Sequence, residues 1–215
     1  MSYSVSACRL TIALALIYVS MVFACYAIAV PMRTVGPDEF FMSLSFQYDP
    51  GRAIASFGLS LVGALGYAIL LARILYQSDK VCDDRSLSRL KWAHRISLWC
   101  PISSIGVAAC VSDYNLIVHC FFAASLFLSQ GIVFILLLVE DRRTLYEDWV
   151  PIVKFRLALV LIGFACMVGM GLGQLFNLIV ASTCEIVFAS LAILFLVSYS
   201  YELSNCRLSI SLIKT

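Results

Sequence analysis

One long apolar segment constrains this chain more than any other feature. It runs from Leu116 to Val139, with Asp113 shortly before it and the charged sequence EDRR, residues 140–143, after it. An α-helix rises about 1.5 Å per residue, so about 20 residues cross the roughly 30 Å hydrocarbon core of a bilayer. The segment is therefore long enough to span a membrane. It contains a titratable residue, His119, one turn from its start.

The composition extends this interpretation to the whole chain. Hydrophobic residues make up 62% of the sequence and charged residues 13%, whereas soluble domains are usually about half apolar and about a quarter charged. The excess lies in long runs, which predicts an all-α polytopic membrane protein with six transmembrane helices in one bundle, forming a single domain over residues 1–215. The predicted spans are residues 10–30, 52–76, 96–111, 116–139, 157–176 and 184–201, and residues 31–51 form a luminal or extracellular loop.

The distribution of basic residues predicts the orientation. An even number of spans places both termini on one side, and 13 of the 15 lysines and arginines fall on that side, leaving Arg33 and Arg52 on the other. The positive-inside rule then predicts that both termini are cytoplasmic. We expect an integral membrane protein of the endomembrane system or the plasma membrane. The net charge of +2 is too small to indicate a nucleic-acid partner.

Small residues predict where the helices pack closely, and Pro101 predicts a kink near the start of the third span. The expected packing residues are Gly58, Gly63 and Gly66 in the second span, with Gly169 and Gly173 at GxxxG spacing in the fifth. The fifth-span sequence GMGLG superficially suggests a dinucleotide loop, but that motif requires a preceding strand. The cysteines form no CxxC pair and there are two histidines, so we predict no metal site and no cofactor.

Polar residues of several spans are predicted to share one depth. Counted from the cytoplasmic charges, His119 lies roughly 32 Å from Glu140 and Glu185 roughly 26 Å from Glu202 along their helices. The predicted polar layer near the non-cytoplasmic face comprises Asp49, Arg52, Asp113, Asn115, His119, Gln174, Asn177 and Glu185. The cytoplasmic half is expected to hold little besides Gln130 and scattered serines, and its basic loops either set the topology or bind anionic lipid.

Two interpretations of this layer remain open at the level of sequence. A histidine and a glutamate in contact form either a headgroup-binding or acid–base site that opens toward the outer leaflet, or a clamp between the fourth and sixth spans. His119 and Glu185 are the candidates for this pair.

Three stretches together resemble a known family. They are SRLKWAHRISLWCPISSIGVAACVSDYNLIVH, VHCFFAASLFLSQGIVFILL and TCEIVFASLAILFLVSYSYELSNCRLSI. They resemble the DRAM/FRAG/Sfk family of six-span membrane proteins, which includes damage-regulated autophagy modulators and post-GPI-attachment lipid-remodelling proteins. His119 matches the family's histidine early in span four, and Glu185 matches its glutamate at the start of span six. Arg52 resembles a Pro-Arg entry to span two, although Gly51 intervenes here.

The resemblance implies a function in membrane-lipid handling. We expect a non-enzymatic protein that binds membrane lipids, or partner membrane proteins in a larger complex, and modulates GPI-anchor maturation, autophagy or phosphoinositide regulation. The alternative is an enzyme that remodels acyl chains, with His119 as general base and Glu185 as its orienting partner. A channel or transporter is disfavoured because the predicted polar residues are confined to one side of the membrane.

Overall fold

The computed structural model describes residues 2–33, 36, 45–46, 48–110, 112–144, 150–176, 178–204 and 206–211. The elements in chain order are β1 (Ser2–Ser6), α1 (Ala7–Ala29), α2 (Gly51–Ser78), α3 (Asp84–Ser97), α4 (Trp99–Ala109), α5 (Ser112–Thr144), α6 (Val150–Phe176), α7 (Leu178–Val197), a 3-10 turn (Ser198–Ser200) and β2 (Arg207–Ser211).

Five helical segments are long and apolar enough to cross a membrane. They are Ala7–Ala29, Gly51–Ser78, Leu116–Arg143, Pro151–Gly173 and Ile179–Ser200. These segments confirm the predicted class of helical membrane protein. These five helices each extend beyond the predicted span at one end or both. Polar residues continue α2 and α5 past their apolar runs, whereas α7 begins with the apolar residues 178–181, before its predicted start at residue 184.

The predicted third span is formed by two helices, α3 and α4, which meet at Leu98. The break lies where Pro101 predicts it, because proline lacks the N–H that would donate to the carbonyl of Ser97. With 11 residues, α4 is about 16 Å long and too short to cross a bilayer alone. A sixth crossing therefore requires the last part of α3 as well as α4.

The two ends of the chain pair as short strands, which the sequence analysis did not predict. β1 and β2 are antiparallel, with Ser2 opposite Ser211 and Ser6 opposite Arg207. The pairing continues into the bundle, where the Ala7 backbone N–H donates to the Cys206 carbonyl at 3.1 Å. Five-residue strands carry little periodic signal beside long apolar helices. The pairing brings the beginning and the end of the chain together at one end of the bundle.

Several of the predicted packing glycines lie where two helices approach closely. A Cβ added to Gly58 would be 2.5 Å from the Met21 Sδ of α1, and one added to Gly173 would be 2.5 Å from the Ala181 backbone nitrogen of α7. The Gly173 contact is with backbone, so a larger side chain there requires α6 and α7 to separate, whereas a larger side chain at Gly58 requires the flexible Met21 side chain to move. Gly63 and Gly169 also have close side-chain neighbours, Ser104 and Cys184, and Gly66 is in ordinary contact with Leu196.

Candidate functional sites at the two ends of the bundle

The bundle has a charged end, where α2 finishes, α5 finishes, α6 begins and the C-terminal turn follows α7. Four charged side chains meet inside it: Arg73 of α2, Asp141 of α5, Arg156 of α6 and Glu202 of the turn. Arg73, Asp141 and Arg156 are 0% exposed and Glu202 is 9% exposed. We call these four residues the charged network.

Asp141 is the centre of the charged network because each of its oxygens has an arginine partner. Its Oδ1 accepts hydrogen bonds from Arg73 and, at 2.7 Å, from Gln77 Nε2. Its Oδ2 accepts from Arg156 Nη1 at 2.9 Å. Two arginines and two carboxylates balance one another, which is the condition under which buried charges are tolerated.

Glu202 connects the charged network to the end of the chain. Its Oε2 accepts from Arg156 Nη2 at 2.7 Å, its Oε1 lies 2.7 Å from Arg156 Nη1, and Arg73 Nη2 is 3.8 Å away. Arg156 also donates to the hydroxyl and the carbonyl of Ser198, both at 2.9 Å. A single arginine therefore holds the residues that follow α7 against α6.

The ring of Tyr199 lies close to both buried arginines. The guanidinium carbon is 4.9 Å from the ring centroid for Arg73 and 4.2 Å for Arg156. Both distances allow cation–π attraction, which is strongest when the groups are removed from water. Tyr199 thus adds to the attraction that holds both arginines in the charged network. The charged network is buried and its arginines and carboxylates bind one another, so it holds together the helices that contribute them.

A second group of charges surrounds the start of α3 at the same end. Arg89 forms an ion pair with the buried carboxylate of Glu140 and donates to Ser86 Oγ at 2.9 Å, and Arg143 donates to the same hydroxyl at 3.4 Å. Asp83 caps α3 by accepting from the Ser86 backbone N–H at 2.8 Å. Hydrogen bonds from the Ser86 hydroxyl and backbone hold the pKa of Asp83 below its usual value.

The charged network was not predicted from the sequence, and its four buried residues lie at an end of the bundle that was expected to hold few buried polar groups. A signal was present: Asp141 follows the buried Leu137 by four residues, and Arg156 precedes the buried Leu159 by three. These spacings continue the buried face of each helix. Charged residues in register with a buried face point inward, whereas charges that only set topology have no such register.

At the opposite end of the bundle, His119 contacts the backbone. It is 7% exposed, and its Nδ1 lies 2.7 Å from the carbonyl oxygen of Cys110, just after α4. A carbonyl only accepts, so Nδ1 carries the proton and the lone pair of the neutral ring lies on Nε2. His119 thereby links the start of α5 to the end of α4. The pairing of His119 with Glu185 stays a prediction.

Glu185 lies on α7 and lines a cavity of about 70 Å³ at the centre of the bundle, which we call the central cavity. The residue is 9% exposed. Tyr18 of α1 lines the same cavity, and its hydroxyl lies 3.3 Å from the hydroxyl of Ser190. The central cavity is also lined by Gln130 of α5 and Tyr67 of α2, so polar groups from four helices converge on it.

The other members of the predicted polar layer are only partly described. Asp49 is exposed and Arg52 is half-buried at the start of α2. Asp113, Asn115 and Gln174 lie in helices whose backbone is described, without their side chains, and Asn177 lies outside the described residues.

A second cavity of about 170 Å³ lies between α5, α6 and α7, and we call it the lateral cavity. Its lining is apolar and includes Gly131, Gly163 and Met167. Part of its rim is on the outer surface of the bundle, where Leu128 is 57% and Phe164 60% exposed. In a chain with membrane-spanning helices, such a surface faces lipid.

Comparison with known proteins assigns the chain to a family. Residues 6–206 match the family described as Frag1/DRAM/Sfk1/Cwh43P N-terminal domain, and the chain belongs to this family. The match confirms the resemblance seen in the sequence. No curated protein and no solved structure matches the chain.

Proposed function

We propose that this chain is a non-enzymatic membrane protein that holds a lipid chain in the lateral cavity and thereby modulates the handling of membrane lipids. The observation that carries the proposal is an apolar cavity of about 170 Å³ whose rim reaches the lipid-facing surface. An apolar cavity of roughly 150 Å³ stays dry and accommodates a molecule such as benzene. The lateral cavity therefore suits part of an acyl chain that enters from the bilayer.

Two glycines keep the lateral cavity open. A Cβ added to Gly131 would lie 3.7 Å from Met167 Cε, and one added to Gly163 would lie 3.5 Å from Phe188 Cε2. Both are ordinary contact distances, so larger side chains at these positions would extend into the cavity without displacing backbone. Substitution at Gly163 therefore gives a direct test.

The test uses purified protein in bilayer nanodiscs that contain a phospholipid with a diazirine in its acyl chain. After irradiation, we expect labelled peptides from the parts of α5, α6 and α7 that line the lateral cavity. Gly163→Leu should reduce this labelling several-fold. The matched control is Gly171→Leu on the same helix, because an added Cβ there has nothing within 4 Å. Equal labelling of the wild type and Gly163→Leu would contradict the proposal.

The proposed topology has six crossings, with the charged end and both termini in the cytoplasm. Five segments qualify as spans, and the pairing of β1 with β2 supports a sixth crossing by α3 and α4 because it requires both termini on one side. A glycosylation acceptor inserted in the 31–51 loop should be modified, whereas one added after Thr215 should not. Modification of the C-terminal acceptor would overturn this topology.

The cellular role that we propose follows from family membership. Regulation of GPI-anchor maturation, autophagy or phosphoinositides would take place at endomembranes or the plasma membrane, together with partner membrane proteins. Gentle purification of the native protein should recover bound lipid and a partner protein. A lipid-free monomer would count against this role.

An acyl-remodelling enzyme is the second candidate, and the position of His119 favours it. The hydrogen bond from Nδ1 to the Cys110 carbonyl leaves Nε2 of the neutral ring as an acceptor, which is the form that a general base requires. His119→Ala and Glu185→Gln should leave GPI-anchor lipids unchanged if the protein is non-enzymatic. Loss of remodelling by both variants, with normal folding, would favour the enzyme.

A further inference from the structure

The helices α3 and α4 share one continuous exposed face. Its residues follow one another mostly at spacings of three and four, which keeps them on the same side of a helix. The register continues across the break at Leu98, whose own backbone is helical, with φ −62° and ψ −27°. We call this surface the α3–α4 face, and its exposed residues are Lys91, Trp92, Arg95, Trp99, Ile102 and Ile105.

The α4 part of this face lies at the depth of the membrane, because α4 packs against two of the long spans. Ser104 Oγ donates to the Leu59 carbonyl of α2 at 2.8 Å. Cys100 Sγ lies 3.4 Å from Ser129 Oγ of α5. Leu59 and Ser129 both belong to segments that are long and apolar enough to cross a bilayer. The side of α4 that turns away from these helices therefore faces lipid.

The chemistry of the α3–α4 face changes along its length. Lys91 and Arg95 come first, and both are exposed. Trp99 follows at 43% exposed, and Ile102 and Ile105 complete the face at 49% and 50%. Tryptophan is enriched at the boundary between headgroups and hydrocarbon. The helical rise from Arg95 to Ile105 is about 15 Å, half the thickness of the hydrocarbon core, so the two cations lie at the level of lipid headgroups.

The positive charge of the α3–α4 face is not neutralised by the protein. Among the residues that the structure describes, no carboxylate forms an ion pair with Lys91 or Arg95, unlike the arginines of the charged network. The sequence has no acidic residue between Asp84 and Asp113, and Asp84 is about 10 Å from Lys91 along the helix. Two uncompensated cations at headgroup depth attract a lipid that carries net negative charge.

The two cations are arranged to bind one phosphate group. Lys91 precedes Arg95 by four residues, so their side chains are neighbours on the helix surface. The guanidinium carbon of Arg95 is 5.3 Å from the ring centroid of Trp92, and this cation–π contact favours a position over the interfacial ring. Arginine offers a planar fork of donors to phosphate oxygens, and lysine adds a compact charge.

We propose that the α3–α4 face binds an anionic phospholipid, with the phosphate at Lys91 and Arg95 and an acyl chain along Ile102 and Ile105. The face is formed by other helices than those around the lateral cavity, so this site is additional to the proposed chain-binding site. A zwitterionic phosphatidylcholine binds more weakly, because the two cations repel its quaternary ammonium.

The experiment measures how strongly lipids with brominated acyl chains quench tryptophan fluorescence. The chain has three tryptophans, so Trp149→Phe leaves Trp92 and Trp99 as reporters on the α3–α4 face. This reporter protein is placed in phosphatidylcholine nanodiscs that contain increasing fractions of brominated phosphatidylglycerol or brominated phosphatidylcholine. The relative affinity from the quenching curves should favour phosphatidylglycerol at least about ten-fold, since each basic residue near the surface contributes a factor of about five.

Substitutions in the reporter protein assign that preference to the two cations. Lys91→Gln and Arg95→Gln should each lower it about five-fold, and the double variant should bring it close to one. The control is Lys154→Gln, because Lys154 is an exposed cation on α6 at the same end of the bundle. Its preference should equal that of the reporter protein. Each preference is a ratio within one variant, so a change in the tryptophan fluorescence itself cancels.

Several results would overturn the inference. These are equal quenching by the two lipids in the reporter protein, a preference that survives in the double variant, and an equal loss in Lys154→Gln, which would indicate the overall surface charge. If the double variant does not fold, the two single variants decide, because each leaves one cation in place. The proposed function is tested separately, since acyl-chain labelling at the lateral cavity should be the same in Lys91→Gln and in the wild type.

Discussion

The two ends of the bundle are held together by different interactions. At the charged end, buried arginines and carboxylates from α2, α5, α6 and the C-terminal turn form the charged network. At the opposite end, the contacts are close backbone approaches, such as Gly173 against Ala181, and the hydrogen bond from His119 to a carbonyl.

Because their contacts differ, the two ends of the bundle should differ in how far a substitution destabilises the fold. A buried charge that loses its partner is strongly destabilising, so a single substitution in the charged network should greatly lower the stability of the fold. Polar contacts between membrane helices contribute only about 0.6 kcal/mol on average, so the opposite end can change its contacts at lower cost. The central cavity, with Glu185, lies at the centre of the bundle, between these two ends.

The largest effect is expected for Asp141→Asn. This variant leaves Arg73 and Arg156 buried with one carboxylate between them, and breaking a buried pair costs about 3–5 kcal/mol. The thermal midpoint of this variant in detergent, measured by fluorescence-detected size-exclusion chromatography, should be far below that of the wild type. Arg142→Gln is the control, because Arg142 is the next residue and is exposed. Equal midpoints for the two variants would show that the charged network does not stabilise the fold.

A matched pair of carboxylate substitutions compares the charged end with the centre of the bundle. Glu202→Gln removes the charge that Arg156 binds, and hydrogen bonds to charged groups contribute about 1.5–3 kcal/mol each. Glu185→Gln should cost about 0.6 kcal/mol, the mean for polar contacts in membranes. The thermal midpoint in detergent measures both costs. A cost for Glu185→Gln as large as that for Glu202→Gln would show that the charged end is no more sensitive than the centre.

Close packing at the opposite end is tested by Gly173→Ala. The added Cβ would be 2.5 Å from the Ala181 backbone nitrogen, so α6 and α7 must separate, at an expected cost of about 1–3 kcal/mol. Gly171→Ala is the control on the same helix, where an added Cβ meets nothing within 4 Å. We expect the thermal midpoint of Gly171→Ala to equal that of the wild type or to be slightly higher. A Gly173→Ala variant as stable as Gly171→Ala would show that α6 and α7 can separate at this contact without a cost in stability.

A small effect is expected for His119→Ala, which leaves the Cys110 carbonyl without its hydrogen bond at a cost of about 1 kcal/mol. Combining it with Glu185→Gln tests the predicted pair. Costs that add within about 0.5 kcal/mol mean that the two side chains act separately, and a larger coupling means that they interact.

Much of the fold was predictable because hydropathy and proline act locally. The apolar runs located the five long spans, and Pro101 located the break between α3 and α4. Family membership was also readable, from the motifs around His119 and Glu185. The terminal strands were not predictable, because β1 and β2 are short and each is stabilised by a partner at the other end of the chain.

The residues of the candidate sites were also predictable only in part. Glu185 was identified from sequence as an ionisable residue within an apolar span, which is unusual in any membrane helix. Arg73 and Arg156 lie at span ends, where positive-inside reasoning expects solvated charges, and so they were interpreted as signals of topology. Asp141 was noted only as part of the charged sequence EDRR that follows the fourth span. Depth along a helix can be counted from sequence, whereas rotation about the helix axis depends on neighbours.

The sequence by itself determined that the chain is a helical membrane protein of this family, since transfer of apolar runs into lipid depends on local composition. Only the tertiary structure decided which charges are buried. Arg73 and Asp141 are 68 residues apart, and Arg156 and Glu202 are 46 apart, so no local pattern records their contacts. The central and lateral cavities were likewise decided by how α5 and α7 are turned toward each other, because side-chain packing sets that rotation.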